Sequence, residues 1–498
     1  MADSLSAVIG YYSEHLPDWE KMRDSYKGQR AVKKKTSVYL PATANQITDG
    51  FPLLGSLGTS SYNAYLMRAR YPNFLREAVQ MAIGMMHSQP ANFTLPKSME
   101  GIKGTNGESL YQILRRINTE QLITGRIGLL LDLPVRAPIG QDIPYISTYT
   151  AEKIRNWDDG FMSEFVPQRL NLVVLDEKEM VRKDNFTWEE ETRYRVLSLG
   201  DLDAATDGEY RFGVFKEDNF SPLGLKKATY RGKSLTEIPF IFINPSDLIS
   251  EPDDPPLLDL GNLCMTIYMG EADYRQNLFM QGQDTFVTIG GSFDDFDTVR
   301  TGAGTRIDLP MGGDAKYEGV SSNGLQEQRE ALESDRARAG SMGAQTMDTV
   351  SRERESGASL NIRMAARTAD LTQIAMTGAQ GLERLLKIAA TWMGENPEEV
   401  KVEPNLEFNN TPLTGQTMVE MQTARNLGFP ISARTLHTVA VDRGMTKMTY
   451  EEELAEAVKE KTTEFGVKEE VDLNPTNDPK INKGPKDIQK EKTGGATK

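Results

Sequence analysis

The chain has 498 residues, a length that predicts roughly two to four structural units or one elongated protomer. Of these residues 38% are apolar, 8% aromatic and 26% charged, enough apolar material to bury a core. Its formal net charge of −15 argues against a protein that grips nucleic acid through a basic face. Apolar runs stay shorter than the ~18 residues that span a bilayer, and the N-terminal sequence does not fit a secretory signal. We therefore expect a soluble protein, without a membrane partner, made in the cytoplasm.

Cysteine and histidine give little sign of a chemical centre. The single cysteine, Cys264, excludes an intrachain disulfide and a multi-thiolate metal cluster, and we interpret it as a small buried apolar residue. His15, His87 and His437 are far apart and match no HExxH spacing. Sequence separation alone leaves open a histidine metal site or a Ser-His-Asp triad assembled by the fold, but no motif favours either. We expect no cofactor.

The first half of the chain predicts helices followed by strands. Apolar residues at helical spacing predict a helix through Phe74 and Met86 that ends before Pro90, and a second over residues 109–124 that Gly125 stops. Short apolar or alternating runs then predict strands. These strand candidates are 128–134, 143–149, 171–175, 192–199, 209–215 and 238–243. Residues 1–250 thus read as an α+β body with a mostly antiparallel sheet.

The clearest change in composition follows residue 250. The segment EPDDPP is a rigid, acidic linker, and the chain beyond it is largely helical. A helix over 257–280 leads into a β-rich insertion over 285–310, and a second helix begins near Leu325.

The helix that begins near Leu325 has a narrow apolar stripe. Its members are Leu325, Leu332, Ala339, Met342 and Val350. A stripe this narrow does not anchor a helix in a monomeric core but suits packing against copies of itself. An exposed helix on a globular domain is the alternative, and the sequence favours neither.

The last third predicts one long helix and a polar end. Residues 351–358 form a charged link, and apolar residues at helical spacing predict a helix over 359–393, about 50 Å long at 1.5 Å per residue. A strand over 402–408 and short helices over 414–458 follow. Beyond residue 461 the chain has almost no apolar content, and we expect disorder.

Several segments carry a resemblance to a known family. They are YLMRARYPNFLREAVQMAIGMM, TEQLITGRIGLLLDLP, IPFIFINP, PPLLDLGNLCMTIY and LERLLKIAATWMG. Together and in this order they resemble the portal proteins of tailed bacteriophages, the head-to-tail connectors, over roughly residues 38–410. No single motif is diagnostic; the order of the segments carries the resemblance.

The resemblance implies a portal fold, α+β and predominantly helical, with wing, stem, clip and crown regions assembled as a ring, usually of twelve subunits. The implied regions are a wing over 1–250, a first stem helix over 251–283, a clip over 284–323, a second stem helix over 324–350, a channel loop over 351–358, a long wing helix and strand over 359–410, crown-like helices over 411–460 and a disordered tail over 461–498. The apolar stripe would then lie between subunits of the stem.

The resemblance also implies a function. The ring would sit at one vertex of the capsid, in the virion, as the conduit for genome packaging and ejection. Implied partners are other copies of the chain, double-stranded DNA in transit, the terminase large subunit, a head-tail adaptor, the major capsid protein and a scaffolding protein. Arg352, Arg354, Arg363 and Lys316 are the candidates to face DNA in the channel; the alternative for the two loop arginines is pairing with Glu353 and Glu355.

Two other classes of function compete with this interpretation. An enzyme could bind a divalent cation through Asp253, Asp254, Asp294 or Asp295. The sequence has no GxxxxGK[ST], no GxSxG and no GxGxxG after a strand, so we expect no enzymatic activity. Another head-tail adaptor or minor capsid protein is the nearer alternative, although two stem-like helices flanking a β insertion favour the portal.

Overall fold

The computed structural model describes residues 4–134, 143–160, 169–200, 208–281, 285–289, 312–318, 323–344, 357–406, 408, 415–430, 432–442, 446 and 448–465. Helices and antiparallel sheets are both present, which confirms the α+β class. Contacts divide the chain into two compact units, Met1–Asn409 and Asn410–Lys498.

Helices open the first unit. They are α1 (Gly10–Lys27), α2 (Gln29–Lys34), α3 (Ala44–Thr48), α4 (Leu57–Arg68), α5 (Phe74–Met86) and α6 (Leu110–Thr124). Helix α6 shows how local sequence fixes its ends: the Ser109 hydroxyl accepts the Gln112 amide while the Gln112 side chain accepts the Ser109 amide, and Gly125 ends the helix in the left-handed conformation. The predictions of α5 and α6 are confirmed.

The strands that follow these helices form antiparallel sheets, as predicted. A three-stranded sheet has the order β11-β2-β3 and a five-stranded sheet the order β4-β5-β6-β7-β8. Two-stranded pairs join β1 to β14, β9 to β10 and β12 to β13. The bounds are β1 (Asn92–Thr94), β2 (Ile127–Asp132), β3 (Tyr145–Thr150), β4 (Ile154–Asp158), β5 (Leu172–Arg182), β6 (Trp188–Leu199), β7 (Tyr210–Phe215), β8 (Lys226–Lys227), β9 (Thr229–Tyr230), β10 (Lys233–Ser234) and β11 (Phe240–Ile243).

The remaining elements of the first unit are α7 (Leu258–Gln281), β12 (Thr285–Ile289), β13 (Asp314–Glu318), α8 (Asn323–Ala344), α9 (Gly357–Met393) and β14 (Lys401–Glu403). The long third helix is confirmed: α9 has 37 residues, about 55 Å at 1.5 Å per residue. The strand predicted over 402–408 is wrong in extent, because β14 ends at Glu403, where its three-residue pairing with β1 ends.

Two hydrophobic clusters fill the first unit. One packs β2, β3 and β11 against α6 and the second half of α9, with Leu382, Leu385 and Leu386 at its centre. The other joins α4, α5, α7 and α8, and reaches α9 through Leu371 and Ile374. Helix α9 therefore contributes to both clusters and ties the sheet to the helices.

The linker at residues 251–256 does not separate two units. Helix α7, which follows it, contributes Leu260 and Cys264 to the same cluster as Met22 of α1 and Leu75 of α5. The change in composition therefore marks a change from strands to helices, not the edge of a compact unit. The edge lies at residue 409.

The second unit contains α10 (Gly415–Asn426), α11 (Ala433–Asp442) and α12 (Tyr450–Phe465), as the prediction of short helices over 414–458 expected. Disorder from residue 461 is wrong for its first residues, since α12 continues to Phe465. A capping Thr449, whose hydroxyl accepts the Glu452 amide, starts a run of strong helix formers that carries past residue 461. The residues after 465 lie outside the described part of the chain.

Candidate functional site: the α7–α8 helix pair

Helices α7 and α8 run antiparallel, and the segment between them contains a β-hairpin formed by β12 and β13. Asn277 near the end of α7 donates to Gln328 near the start of α8 at 3.0 Å, whereas Glu271, earlier in α7, meets Arg336, later in α8. The two helices have 24 and 22 residues, about 36 and 33 Å of helix. The pair and its hairpin thus form a long excursion from the body: the chain leaves the helical cluster along α7 and returns to it along α8.

An ion triad around a buried glutamate joins the two helices. The Glu271 side chain is 3% exposed, and its two carboxylate oxygens accept hydrogen bonds from Arg275 of the same helix and Arg336 of α8. A carboxylate buried in this way is tolerated because both oxygens have a cationic partner. The pairing also fixes the axial register of α7 against α8.

The apolar stripe of α8 packs inside its own chain. Leu332 is 6% and Ala339 0% exposed, and both belong to the cluster formed with α5 and α7, with Met342 against it. A β-carbon on Gly270 of α7 would lie 3.1 Å from the Leu332 side chain. Leu332, Ala339 and Met342 therefore pack on α5 and α7 of their own chain, a surface that the narrow stripe alone did not indicate. The assignment of the stripe to contacts between subunits stays a prediction.

Because Leu332 is buried in its own chain, a substitution there does not test contacts between subunits. Replacing Leu332 with Asp would damage the chain's own core and would not selectively block contacts between subunits. Leu325 lies nearer the hairpin, half-buried, and lines a 450 Å³ groove with Tyr274, Arg329 and Glu333. Val350, the last member of the stripe, lies outside the described residues.

The outward surface of α8 is charged. Its exposed residues include Glu327, Arg329, Glu330, Glu333 and Arg338, with Arg329 and Glu333 paired one turn apart at 2.8 Å. Surface pairs of this kind contribute little to stability. Any contact made through this face is consequently polar.

The hairpin at the end of the pair has a defined register. Strand β12 pairs antiparallel with β13 from Thr285 opposite Glu318 to Ile289 opposite Asp314. This confirms a β-rich insertion between the helices. Ile289 is about half exposed.

The DNA-facing candidates are only partly within the described chain. Lys316 lies in β13 opposite Val287, and Arg363 lies in the first turns of α9; their side chains are outside the described set. Arg352 and Arg354 lie outside the described residues altogether. The backbone places Lys316 on the hairpin and Arg363 near the start of α9.

A polar network that sequence reasoning missed joins α9 to α6. The Gln121 amide nitrogen donates to the Asn244 carbonyl at 2.8 Å and to Thr377 at 3.0 Å, and Asn118 donates to Gln121 at 3.0 Å. Gly378 provides the space, since a β-carbon there would lie 2.5 Å from the Asn118 nitrogen. The only sequence signal was polar residues within the predicted apolar side of α6.

A second missed feature is a buried arginine beneath the linker. The Arg126 guanidinium is fully buried between the rings of Trp157 and Phe242, 4.3 and 4.4 Å away, and donates to the Ser250 carbonyl at 2.6 Å. Burial lowers the pKa of Arg126 to about 9, opposed by the nearby Asp253 charge. The stacked cation fastens the start of β2 to the segment that leads into α7.

Of the described residues considered for catalysis that are distant in sequence, only His15 and Asp254 lie close together. His15 stacks on Trp19 and its Nε2 lies 3.6 Å from Asp254, and the Asp253 carboxylate accepts the Ser246 amide and hydroxyl, as in a capped turn.

The other two histidines belong to separate surroundings: the His87 Nε2 lies 3.0 Å from the Asn118 side-chain oxygen, and His437 packs against Tyr450 in the second unit. Within the described ranges no three His, Cys, Asp or Glu side chains form a group able to hold a metal. Asp294 and Asp295 lie outside those ranges. Cys264 is buried, as predicted, and burial raises the pKa of its thiol.

No helix in the described part of the chain combines the length and apolar content needed to cross a membrane. A family model described as a domain of unknown function, DUF4055, matches residues 256–393. The match begins at the end of the linker and ends at the last residue of α9, so it spans the helix pair, its hairpin and the long helix. No curated protein sequence matches the chain.

Solved structures give weak similarities. Three are described as "Neck of native GTA particle computed with C12 symmetry", "Virion of native gene transfer agent (GTA) particle" and "Neck of empty GTA particle computed with C6 symmetry". Each match has 12% sequence identity and covers 80% of this chain and 98% of the other, with TM-scores of 0.35, 0.37 and 0.33. These TM-scores lie below the range of a shared fold and establish neither a ring nor a function for this chain.

Proposed function

We propose that this chain is the subunit of a phage-type portal, a ring at one capsid vertex through which the genome is packed and later ejected. The observation that carries the proposal is the excursion formed by α7, β12, β13 and α8. A long antiparallel helix pair ending in a β-hairpin is the arrangement that the resemblance to portal proteins implies for stem and clip. The long helix α9, which follows it and returns into both hydrophobic clusters, fits the wing helix of that scheme.

The locked helix pair suits a mechanical role. In the proposed ring the pairs of successive subunits surround a channel, and the Glu271 triad keeps each pair in one register. The charged outer face of α8 then makes polar contacts with solvent or neighbouring subunits. In this proposal the subunit acts by holding the wall of the channel in shape, and we assign no catalytic step to it.

Charge supports passage of DNA over static binding. Each subunit contributes a net charge of −15, so a ring repels the phosphate backbone on average, and few phosphate contacts mean weak retention. Lys316, Arg352, Arg354 and Arg363 are our candidates for sparse positive rings that touch phosphates in transit.

The remaining partners follow from this role. The hairpin end of the helix pair would dock the terminase large subunit during packaging and the head-tail adaptor afterwards, and the α+β body would contact the major capsid protein and a scaffolding protein. The proposed location is the portal vertex of the virion.

The proposal is tested by the mass of the purified full-length chain under native conditions. A closed oligomer of about a dozen subunits is expected, because head-to-tail contacts that close produce rings of fixed size. A stable monomer at every concentration would overturn the proposal. A small oligomer such as a dimer would equally do so and would favour another structural protein of the particle.

A further inference from the structure

The five-stranded sheet extends a two-stranded arm beyond its neighbours. Strand β4 pairs with β5 only as far as Leu175, and β7 pairs with β6 only from Tyr194 onward. Strands β5 and β6 nevertheless stay paired to the end, where Arg182 faces Trp188. The segment 176–193 therefore stands outside the sheet with its backbone edges unpaired within the described chain. An isolated two-stranded ribbon is marginally stable in water.

The tip of this arm exposes large apolar side chains in a fixed turn. Phe186 is 92% exposed, and Trp188 and Met180 are each 57% exposed. The Asp184 carboxylate accepts the backbone amides of Phe186 and Thr187, both at 2.8 Å. The turn thus holds Phe186 outward in one conformation, which reduces the entropy lost when such a side chain binds a partner.

The arm is also acidic. Residues 176–193 contain seven Asp or Glu and four Lys or Arg. Ion pairs reduce this charge: Lys183 pairs with Glu189 at 2.9 Å, Lys178 with Glu190 at 3.5 Å and Arg193 with Glu191 at 2.7 Å. The arm therefore keeps a moderate excess of acidic groups. An apolar tip on an acidic stalk indicates a partner with an apolar pocket and a basic border.

The same chain contains a pocket of that kind. A cavity of 170 Å³ opens between the end of β2, the start of β7 and the end of α9. Its apolar lining includes Leu133, Pro134, Tyr210, Phe212, Leu235 and Trp392. An apolar cavity of about 150 Å³ accommodates a benzene ring, so this one is of the size that a single aromatic side chain fills.

One side of the cavity border is basic. Lys227 and Thr229 line that side and Asp132 lines another part of the cavity, and the segment 225–236 contains four cationic residues and no acidic one. Lys226 and Lys233 are exposed there. Lys227 contacts Glu209, which leaves the segment as a whole positive and complementary to the arm.

The arm cannot enter the cavity of its own chain. Tyr210, at the cavity, pairs with Leu199 at one end of β6, and Trp188 is at the other end. Eleven residues of strand at about 3.3 Å each separate them by roughly 36 Å. The two complementary surfaces lie at opposite ends of one sheet, which is the geometry of a head-to-tail contact between copies.

We propose that Phe186, at the tip of the arm, inserts into the Trp392 cavity of the next copy of this chain, with Trp188 at the border of the contact. The contact is heterologous, so its repetition builds a ring or an open chain of subunits. The contact between copies is inferred from the arm and the cavity alone. That repeated contacts close into a ring rests on the proposed function.

Cross-linking tests the contact directly. The chain's only cysteine, Cys264, is buried, so cysteines introduced by Asn185→Cys, at the exposed tip beside Phe186, and Lys226→Cys in one chain are the reactive thiols. A short bismaleimide should give a ladder of covalent oligomers from this double variant. A mixture of the two single variants should stop at dimers, and the wild-type chain should give none.

Substitution tests the chemistry of the contact. Phe186→Ser with Trp188→Ser should raise the concentration for half-assembly at least about tenfold, as loss of a central aromatic anchor does. The control is Leu54→Ser, which removes a fully exposed leucine and should leave assembly unchanged. Reversing Glu189 and Glu190 to Lys, or Lys226 and Lys233 to Glu, should each weaken assembly, and combining the four changes should restore it.

The outcomes separate the contact from the ring. If wild-type rings form, no ladder appears and the tip variant assembles like the Leu54→Ser control, the contact is wrong and the ring proposal stands. If the ladder appears but the wild-type assembly is an open chain, the contact is right and the closed ring is wrong. A wild-type chain that stays monomeric and does not cross-link overturns both.

Discussion

Individual buried charges in this chain are placed where distant segments must be held in register. Arg23 of α1 donates to Glu120 at 2.6 Å and to Glu152 at 2.8 Å, and this pairing raises the pKa of Arg23 while Arg23 lowers that of Glu152. Glu271 does the same for α7 and α8, with partners that are partly exposed. Loss of Arg23 would be the more costly, because Glu120 and Glu152 would stay largely buried.

Glu271→Gln should destabilise the first unit by about 1–3 kcal/mol, since two charge-assisted hydrogen bonds are weakened while both guanidinium groups keep contact with water. The measurement is the thermal unfolding midpoint, which should fall. The matched control is Glu333→Gln, which breaks the exposed pair with Arg329 and should change the midpoint little. Equal effects of the two substitutions would show that the triad is no more than a surface ion pair.

His87 should make stability depend on pH. Burial lowers the pKa of His87 below its ordinary 6.5, so the unfolded chain binds a proton that the folded chain resists. Stability is full above pH 6.5 and falls as the pH drops through and below that value. His87→Gln should flatten part of the decline measured between about pH 7.5 and 5.5. Parallel pH profiles for the two proteins would contradict this.

At the scale of elements, two helical glycines differ in what surrounds them. Gly378→Ala in α9 should cost about 1–3 kcal/mol, because the new methyl group meets the Asn118 amide at 2.5 Å and must displace the polar network. Gly84→Ala in α5 should stabilise by about 0.5–1 kcal/mol, since nothing lies within 4 Å and alanine favours helix. Chemical denaturation measures both, and the same sign for the two would refute the packing of α9 on α6.

The elements that local sequence encodes were predictable. Ser109, Gln112 and Gly125 mark both ends of α6, and the apolar spacing of α9 gives its length. The helices on either side of a β insertion followed from periodicity and composition. Turn and cap residues act over a few positions, so the linear sequence contains the whole signal.

Features that depend on distant segments were not predictable in the same way. The narrow stripe of α8 gave no sign that α5 and α7 cover it, because burial is decided by residues more than 60 positions away, such as Ala272 and Ala78. Strands β5 and β6 were predicted short, since their outer halves are polar and are held by pairing with each other. Arg126 lies in a run of apolar residues with no local hint of Trp157 above it.

At the scale of the whole molecule, the proposed subunit has a body, a projecting helix pair and a head-to-tail contact. The two surfaces proposed for that contact lie at opposite ends of one sheet in the body. In the proposed ring the helix pair faces the enclosed space, and each subunit has a net negative charge. Each of these features has its own test, and all of them contribute to the proposed ring.

Electron micrographs of the purified chain, class-averaged along the symmetry axis, test that claim most directly. Annular particles with a central hole and about a dozen repeating subunits are the result that the proposed function predicts. A field of single globular particles, or of filaments without closure, would contradict it.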